Sequence, residues 1–193
     1  MVAVVAIAGA AIAFNEVMRR SELTEGTIPR QQARVGAPFD LLDQNGRHVS
    51  DASFSGHKRL MIFAATSERD RVLASLQVLN SARELIGPAA SGLAFIWITT
   101  DPANDTPGKL AAVLAEAGGD WTALTGDPLA VRALMHAYFV PDPQSATPPP
   151  HSKGAPPAPV TVAYLMDESG AFLTHRTVPP DPAVIAQWLN QSL

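Results

Sequence analysis

Two aspartates in a short polar loop, Asp101 and Asp105, are the first candidates for chemistry in this sequence. A pair of nearby carboxylates can divide acid and base work in a catalytic site. However, Pro102 and Pro107 flank the loop, and Thr106 followed by proline is a typical helix start. We therefore interpret Asp105 and Thr106 as acceptors for free backbone N–H groups at a helix entry, and not as catalysts.

Thiol chemistry is excluded, because the chain contains no cysteine. Disulfides, thiolate nucleophiles, cysteine-ligated zinc and iron–sulfur clusters all require that residue. The sequence also has no His-Glu-x-x-His run, no Gly-rich phosphate loop and no recognisable Ser-His-Asp set. Enzymatic activity is therefore disfavoured.

Side chains with oxygen and nitrogen donors allow a different kind of metal site. Glu68 and Asp70 lie at a predicted helix start, and His151 lies in a proline-rich stretch. Such donors suit copper(II) or zinc, although their spacing does not require a metal. We expect the remaining histidines to lie near turns or at surfaces; they are His48, His57, His136 and His175.

The bulk properties indicate one globular domain with a modest appendage. The chain has 193 residues, of which 47% are apolar and 17% are charged. This composition excludes a disordered chain and a multi-span membrane protein, and the length suits a single core. A net charge of −4 argues against nucleic acid as a partner, since phosphates require a basic face.

The first 20 residues predict a membrane anchor or signal helix. Residues 2–14 form an apolar run, and Arg19 and Arg20 follow it. As a helix this run spans about 20 Å, less than the roughly 30 Å of a bilayer core. It is therefore either the apolar part of a signal peptide cleaved near residues 11–13, or an anchor whose beginning lies upstream. A buried core helix is the remaining alternative, and the polar residues 21–36 predict a linker.

Residues 37–193 predict an α/β domain with a thioredoxin-like fold. The Asn45-Gly46 turn between apolar runs indicates a first hairpin. Continuous apolar runs at residues 59–65 and 93–98 are typical of central strands that are buried on both faces. Strand, helix, strand, helix, then a hairpin and a closing helix is the thioredoxin-like order.

Capping residues predict where the helices of this domain begin. Ser67 and Asp70 form a pair like a capping box, which predicts a helix from Glu68 to about residue 86. Asp127 and Asp181 precede prolines that suit the first helical position. Residues 141–159 contain eight prolines, which predicts an exposed loop of polyproline character that folding does not require.

Three stretches of the domain resemble the Sco/SenC family, over roughly residues 36–193. Residues 36–46 are similar to that family's first hairpin, and residues 98–107 are similar to its Asp-Pro-x-x-Asp-Thr-Pro segment. The third stretch is divided: residues 124–128, followed by Tyr138 and then by residues 164–167, complete the pattern in the same order and spacing. The residues that carry the most specific segment are Asp101, Pro102, Asp105, Thr106 and Pro107.

The resemblance implies a membrane-tethered domain that binds copper through a Cys-x-x-x-Cys pair and one distal histidine. In this sequence the cysteine positions correspond to Glu68 and Val72, and the histidine position to Pro159 or Val160. Copper(I) prefers thiolate donors, which these side chains do not supply. We therefore expect no cofactor, and a family member whose copper and redox chemistry is lost.

The favoured hypothesis is an accessory protein, linked by the resemblance to cytochrome c oxidase assembly, that acts by binding a protein. The partner would be an oxidase subunit or another assembly factor, and the domain would lie on the outer, periplasmic face of an inner membrane, held by a single span. One alternative is a metal carrier that uses oxygen and nitrogen ligands from Glu68, Asp70 and His151. The other, a thioredoxin-fold oxidoreductase, is nearly eliminated by the missing thiols.

Overall fold

The computed structural model describes residues 35–142 and 161–193. Within these residues seven strands form one sheet. The strands are β1 (Asp40–Asp43), β2 (His48–Ser50), β3 (Lys58–Phe63), β4 (Leu93–Ile98), β5 (Thr122–Thr125), β6 (Val162–Met166) and β7 (Phe172–Thr177). Their spatial order is β2-β1-β5-β4-β3-β6-β7. The helices that pack on the sheet are α1 (Arg69–Ile86), α2 (Pro107–Ala117), α3 (Pro128–Ala137) and α4 (Pro182–Ser192).

The centre of the sheet consists of the parallel strands β3, β4 and β5. The two apolar runs form β3 and β4, whose residues are almost all buried, so the prediction of two buried central strands is confirmed. Parallel strands place their carboxyl ends at one edge of a sheet, where α/β proteins usually bind their ligands. Phe63 and Ile98 are paired at this edge.

Antiparallel strands extend the sheet on both sides: β6 and β7 next to β3, and the β1–β2 hairpin next to β5. The predicted Asn45-Gly46 turn joins β1 and β2, and Gly46 has a φ of 76° that favours glycine. The buried carboxylate of Asp43 accepts hydrogen bonds from the backbone N–H groups of Asn45 and Arg47, at 2.8 and 2.9 Å. Burial alone would raise the pKa of Asp43, but these bonds and the Arg47 side chain hold it below its usual range.

Alternate residues of the central strands face two separate cores. Leu60 faces the core under α1, α2 and α4, and Met61 faces the core under α3. The first core contains the three tryptophans, Trp97, Trp121 and Trp188. The second contains Tyr138, with Tyr164 packed against it. Aromatic side chains of different kinds therefore mark the two faces of the sheet.

The start of α1 differs from its sequence prediction. The helix begins at Arg69 rather than Glu68, because a 3₁₀ turn at Thr66–Glu68 precedes it. Ser67 is exposed and the helix start receives no side-chain capping bond. The predicted capping box of Ser67 and Asp70 is therefore wrong, because polar groups far away in the sequence hold this turn instead.

The other predicted helix starts are confirmed. Thr106 accepts from the N–H of Lys109 at the start of α2. Asp127 caps α3 through the N–H groups of Leu129 and Ala130, and Asp181 caps α4. These local signals position the helices correctly because each cap bonds to a backbone group two or three residues away.

Several predictions fall outside the described residues. These are the anchor or signal helix at residues 1–20, nearly all of the linker, and almost all of the proline-rich loop at residues 141–159. Among the helices that the structure does describe, none has both the length and the apolar composition to cross a bilayer.

Candidate functional site

The candidate site is the junction between β3 and α1, at the carboxyl edge of the parallel strands. Ala64 follows β3 and continues its pairing, since its N–H donates to the carbonyl of Ile98 at 3.1 Å. The indole Nε1–H of the buried Trp97 donates to the carbonyl oxygen of Ala64 at 2.9 Å. The backbone at the junction is therefore fixed to the neighbouring strand before the helix begins.

The carboxylate of Asp105 is the main polar contact of this junction. It is 1% exposed and accepts the backbone N–H of Thr66 at 2.9 Å. The hydroxyls of Thr66 and Thr99 also donate to it. Thr125 donates its hydroxyl to the carbonyl of Asp105 at 2.8 Å, which ties in β5. These bonds compensate the burial of the charge, and both carboxylate oxygens are engaged in binding the fold.

Asp101 shares the Thr99 hydroxyl with Asp105, and its carbonyl accepts the N–H of Asp105 at 2.9 Å, but its carboxylate has a different partner. Its carboxylate accepts from the amide of Asn104 at 2.8 and 3.1 Å, and its N–H donates to Thr99 at 2.9 Å. The two aspartates therefore have different carboxylate partners, which supports the structural interpretation of this loop. Sequence reasoning expected Asp105 to serve the entry of α2, whereas its carboxylate serves the junction at Thr66.

Glu68 and Arg71 form an ion pair in the first turn of α1. Both side chains are partly exposed. Glu68 occupies the N-cap position, in agreement with its place at the predicted helix start, but its side chain makes no capping bond. Sequence reasoning missed Arg71, although the i, i+3 spacing of opposite charges was a readable signal.

Val72 and Asp70 differ sharply in exposure. Val72 is fully buried in the core beneath α1, whereas Asp70 is exposed. Arg69 lies between the ends of two helices, because it pairs with Glu116 of α2. The positions that the resemblance assigns to the two cysteines therefore hold a carboxylate engaged by an arginine and a buried hydrocarbon side chain.

The part of the chain that the structure describes contains no convergent group of three or more histidine, aspartate or glutamate side chains suited to a metal ion. His48 lies 3.1 Å from Asp40 on the first hairpin, and His57, His136 and His175 are exposed. His151 lies outside the described residues, as do Pro159 and Val160. The oxygen and nitrogen site of Glu68, Asp70 and His151 therefore remains a prediction.

A second buried contact links α1 to the start of β6. The hydroxyl of Ser75 donates to the hydroxyl of Thr161 at 2.8 Å, and both residues are buried. Thr161 directly precedes β6, so this contact fixes the start of that strand against α1. Neither residue type signals such a contact in the sequence, because 86 residues separate them.

Comparison with known proteins gives concordant matches. A family model described as SCO1/SenC matches residues 27–193. The SCO2-like protein of Rickettsia prowazekii is 27% identical over 113 residues, which cover 58% of this chain and 55% of that protein. The chain thus spans about half of that relative. The SCO2-like protein of Rickettsia felis is 25% identical over 172 residues, 84% of this chain and 79% of that protein.

A solved structure has a similar fold. Bradyrhizobium japonicum ScoI with copper bound has 28% sequence identity and a TM-score of 0.64, over 82% of this chain and 99% of that one. The family match includes every strand and helix described above. Because it covers most of the chain, this protein belongs to the SCO1/SenC family and adopts its thioredoxin-like fold.

Proposed function

We propose that this protein is a SCO1/SenC accessory factor that acts by binding a protein partner, and that its copper(I) chemistry is lost. The Sco family is described as one of cytochrome c oxidase assembly proteins. The partner is accordingly an oxidase subunit or another assembly factor. The observation that carries the proposal is the set of side chains at the junction between β3 and α1, which includes no thiol.

The donor set at the junction does not fit copper(I). This ion prefers soft thiolate or thioether ligands, and the chain has no cysteine. Glu68 offers a hard carboxylate that Arg71 already engages, and Val72 offers no donor atom. We therefore assign no step of metal transfer or thiol exchange to this site.

Competition with a copper(I) chelator tests this proposal. The full chain in detergent micelles is expected to retain no copper(I) against a chelator of high affinity. The triple variant Glu68→Cys, Val72→Cys, Pro159→His is expected to retain about one ion per chain, because it restores two thiolates and an imidazole. A matched control carries serine instead of cysteine at positions 68 and 72, and should retain none.

Two results would contradict the proposal or its basis. Stoichiometric copper(I) in the unaltered chain would show that a site exists, and His151→Ala would then test the predicted alternative carrier. An inert triple variant that still folds would show that the assignment of the ligand positions is wrong.

A further inference from the structure

A groove of about 240 Å³ lies beside the junction, between α1 and the chain that follows β7. Ala74 and Val78 of α1 form one wall, and Val178 and Pro179 form the other. At roughly 30 Å³ per water molecule, this volume holds about eight waters. It can therefore take one or two aliphatic side chains.

The polar groups in the floor of the groove bond to each other. The hydroxyls of Ser75 and Thr161 are paired at 2.8 Å. The carbonyl of Thr161 accepts the N–H of Val178 at 2.9 Å. A ligand therefore meets an apolar surface whose hydroxyl pair is already engaged.

Unlike the paired hydroxyls, Arg71 brings to the groove a polar group that is not fully engaged. Its Nε–H is shielded from solvent and has no acceptor within the described residues, while the other end of the guanidinium pairs with Glu68. A shielded N–H without an acceptor is unfavourable, since neither protein nor water replaces its lost hydration. Arg71 also lines the groove. A ligand oxygen would reach this N–H only after the side chain turns, and that movement is part of the inference below.

The charges around Arg71 determine which kind of ligand oxygen can accept its N–H. Arg71 is paired with Glu68, and Arg69 with Glu116. Asp70 is exposed beside them, so the start of α1 with its ion pairs carries three carboxylates and two guanidinium groups. An acidic ligand would be repelled, and a basic side chain would not satisfy the N–H. A neutral carbonyl oxygen suits the site best.

We infer that this groove binds an extended, uncharged peptide segment of a partner protein. One small apolar side chain of the segment packs between Val78 and Val178, and one backbone carbonyl accepts the N–H of Arg71. The inference rests on the proposed function, because it specifies the chemistry of the partner. The principal competing occupant is the chain's own uncharged residues 155–160, which directly precede Thr161.

Titration by nuclear magnetic resonance tests this site on the full ¹⁵N-labelled chain in detergent micelles. The probe is the peptide acetyl-Ala-Val-Pro-Ala-amide. We expect saturable shifts at the amides of Ala74, Val78 and Val178, with a Kd on the order of 1 mM for so small a peptide. The analogue with glutamate in place of valine should bind about fivefold more weakly or worse.

Three variants test whether the peptide binds in the groove or elsewhere on the surface near it. Arg71→Gln removes the guanidinium, and Ala74→Tyr fills the groove from an exposed position. Each should weaken the binding of the valine peptide about fivefold or more. Arg69→Gln is the matched control, because Arg69 pairs with Glu116 and does not line this groove; it should leave the Kd unchanged.

Any of three results would overturn the inference. These are the absence of saturable shifts up to about 10 mM peptide, tighter binding of the glutamate analogue, and proton contacts between residues 155–160 and Val78 in the free chain. The last would show that the chain's own segment fills the groove. Because none of these readouts involves copper, failure here is distinguishable from failure of the proposed function.

Discussion

Asp105 joins parts of the junction that are far apart in the sequence. Its carboxylate receives hydrogen bonds from Thr66 after β3 and from Thr99 after β4. The shape of the junction therefore depends on one buried side chain that lies 39 residues from the turn it holds.

Replacing Asp105 by alanine should destabilise the domain by about 2–3 kcal/mol. The substitution leaves the N–H of Thr66 and two hydroxyls without their charged acceptor, and buried donors without partners are costly. Urea-induced unfolding measures the change in the free energy of unfolding.

Asp101→Ala is the matched control for this measurement. Asp101 is partly exposed and its carboxylate binds the side chain of exposed Asn104, so its loss should cost less than about 1 kcal/mol. Equal losses for the two variants would contradict the role assigned to Asp105.

The junction was only partly predictable from the sequence, for a physical reason. The pair Ser67 and Asp70 matches a local capping motif, but Asp105 holds the turn from a distant loop, so the local rule gave the wrong start of α1. The pair of Glu68 and Arg71 was readable from its spacing. The contact of Ser75 with Thr161 was not, since two uncharged hydroxyls carry no spacing signal.

At the scale of elements, α3 illustrates a helix that local chemistry defines well. Asp127 accepts the N–H groups of Leu129 and Ala130 at 2.9 and 3.0 Å, and Pro128 occupies the first turn. The sequence prediction placed both residues correctly because the cap and its acceptor bonds span only three positions.

Asp127→Ala should destabilise the domain by about 1 kcal/mol, the usual cost of losing an N-cap. Asp127→Asn keeps an acceptor oxygen in the same place and should lose less than half as much. Thermal unfolding of the two variants side by side provides the measurement. If the asparagine variant is as unstable as the alanine variant, the cap contributes nothing and charge alone matters.

The central strands were predictable for a related reason. A short uninterrupted apolar run, such as the one in β3, is typical of a strand that is covered on both faces. The helices α1 and α2 each connect two parallel strands that are neighbours in the sheet, as consecutive strands usually are, and both pack on the same face.

At the scale of the whole molecule, the remaining prediction concerns the membrane. Residues 1–20 are expected to insert as a single span, with the domain outside the cytoplasm, because residues 2–14 are apolar and a polar stretch follows. Alkaline phosphatase fused after Leu193 should be active, since it requires an oxidising compartment, and the fusion should sediment with membranes.

A matched control places two charges in the apolar run, as Ile7→Arg with Ile12→Arg, which keeps its length but opposes insertion. This variant should lose phosphatase activity. An inactive fusion of the unaltered chain, recovered in the soluble fraction, would refute the proposed location.

Because tryptophan and tyrosine lie in different cores, the unfolding of each core can be followed through its own aromatic residues. The three tryptophans lie on one face of the sheet, while Tyr138 and Tyr164, the two tyrosines of the chain, lie on the other. Tryptophan fluorescence therefore follows the loosening of one face, and the ring-proton nuclear magnetic resonance signals of the two tyrosines follow the other. Coincident transitions would mean that both layers melt as one cooperative unit, and a gap between them would reveal a partly melted state without any added label.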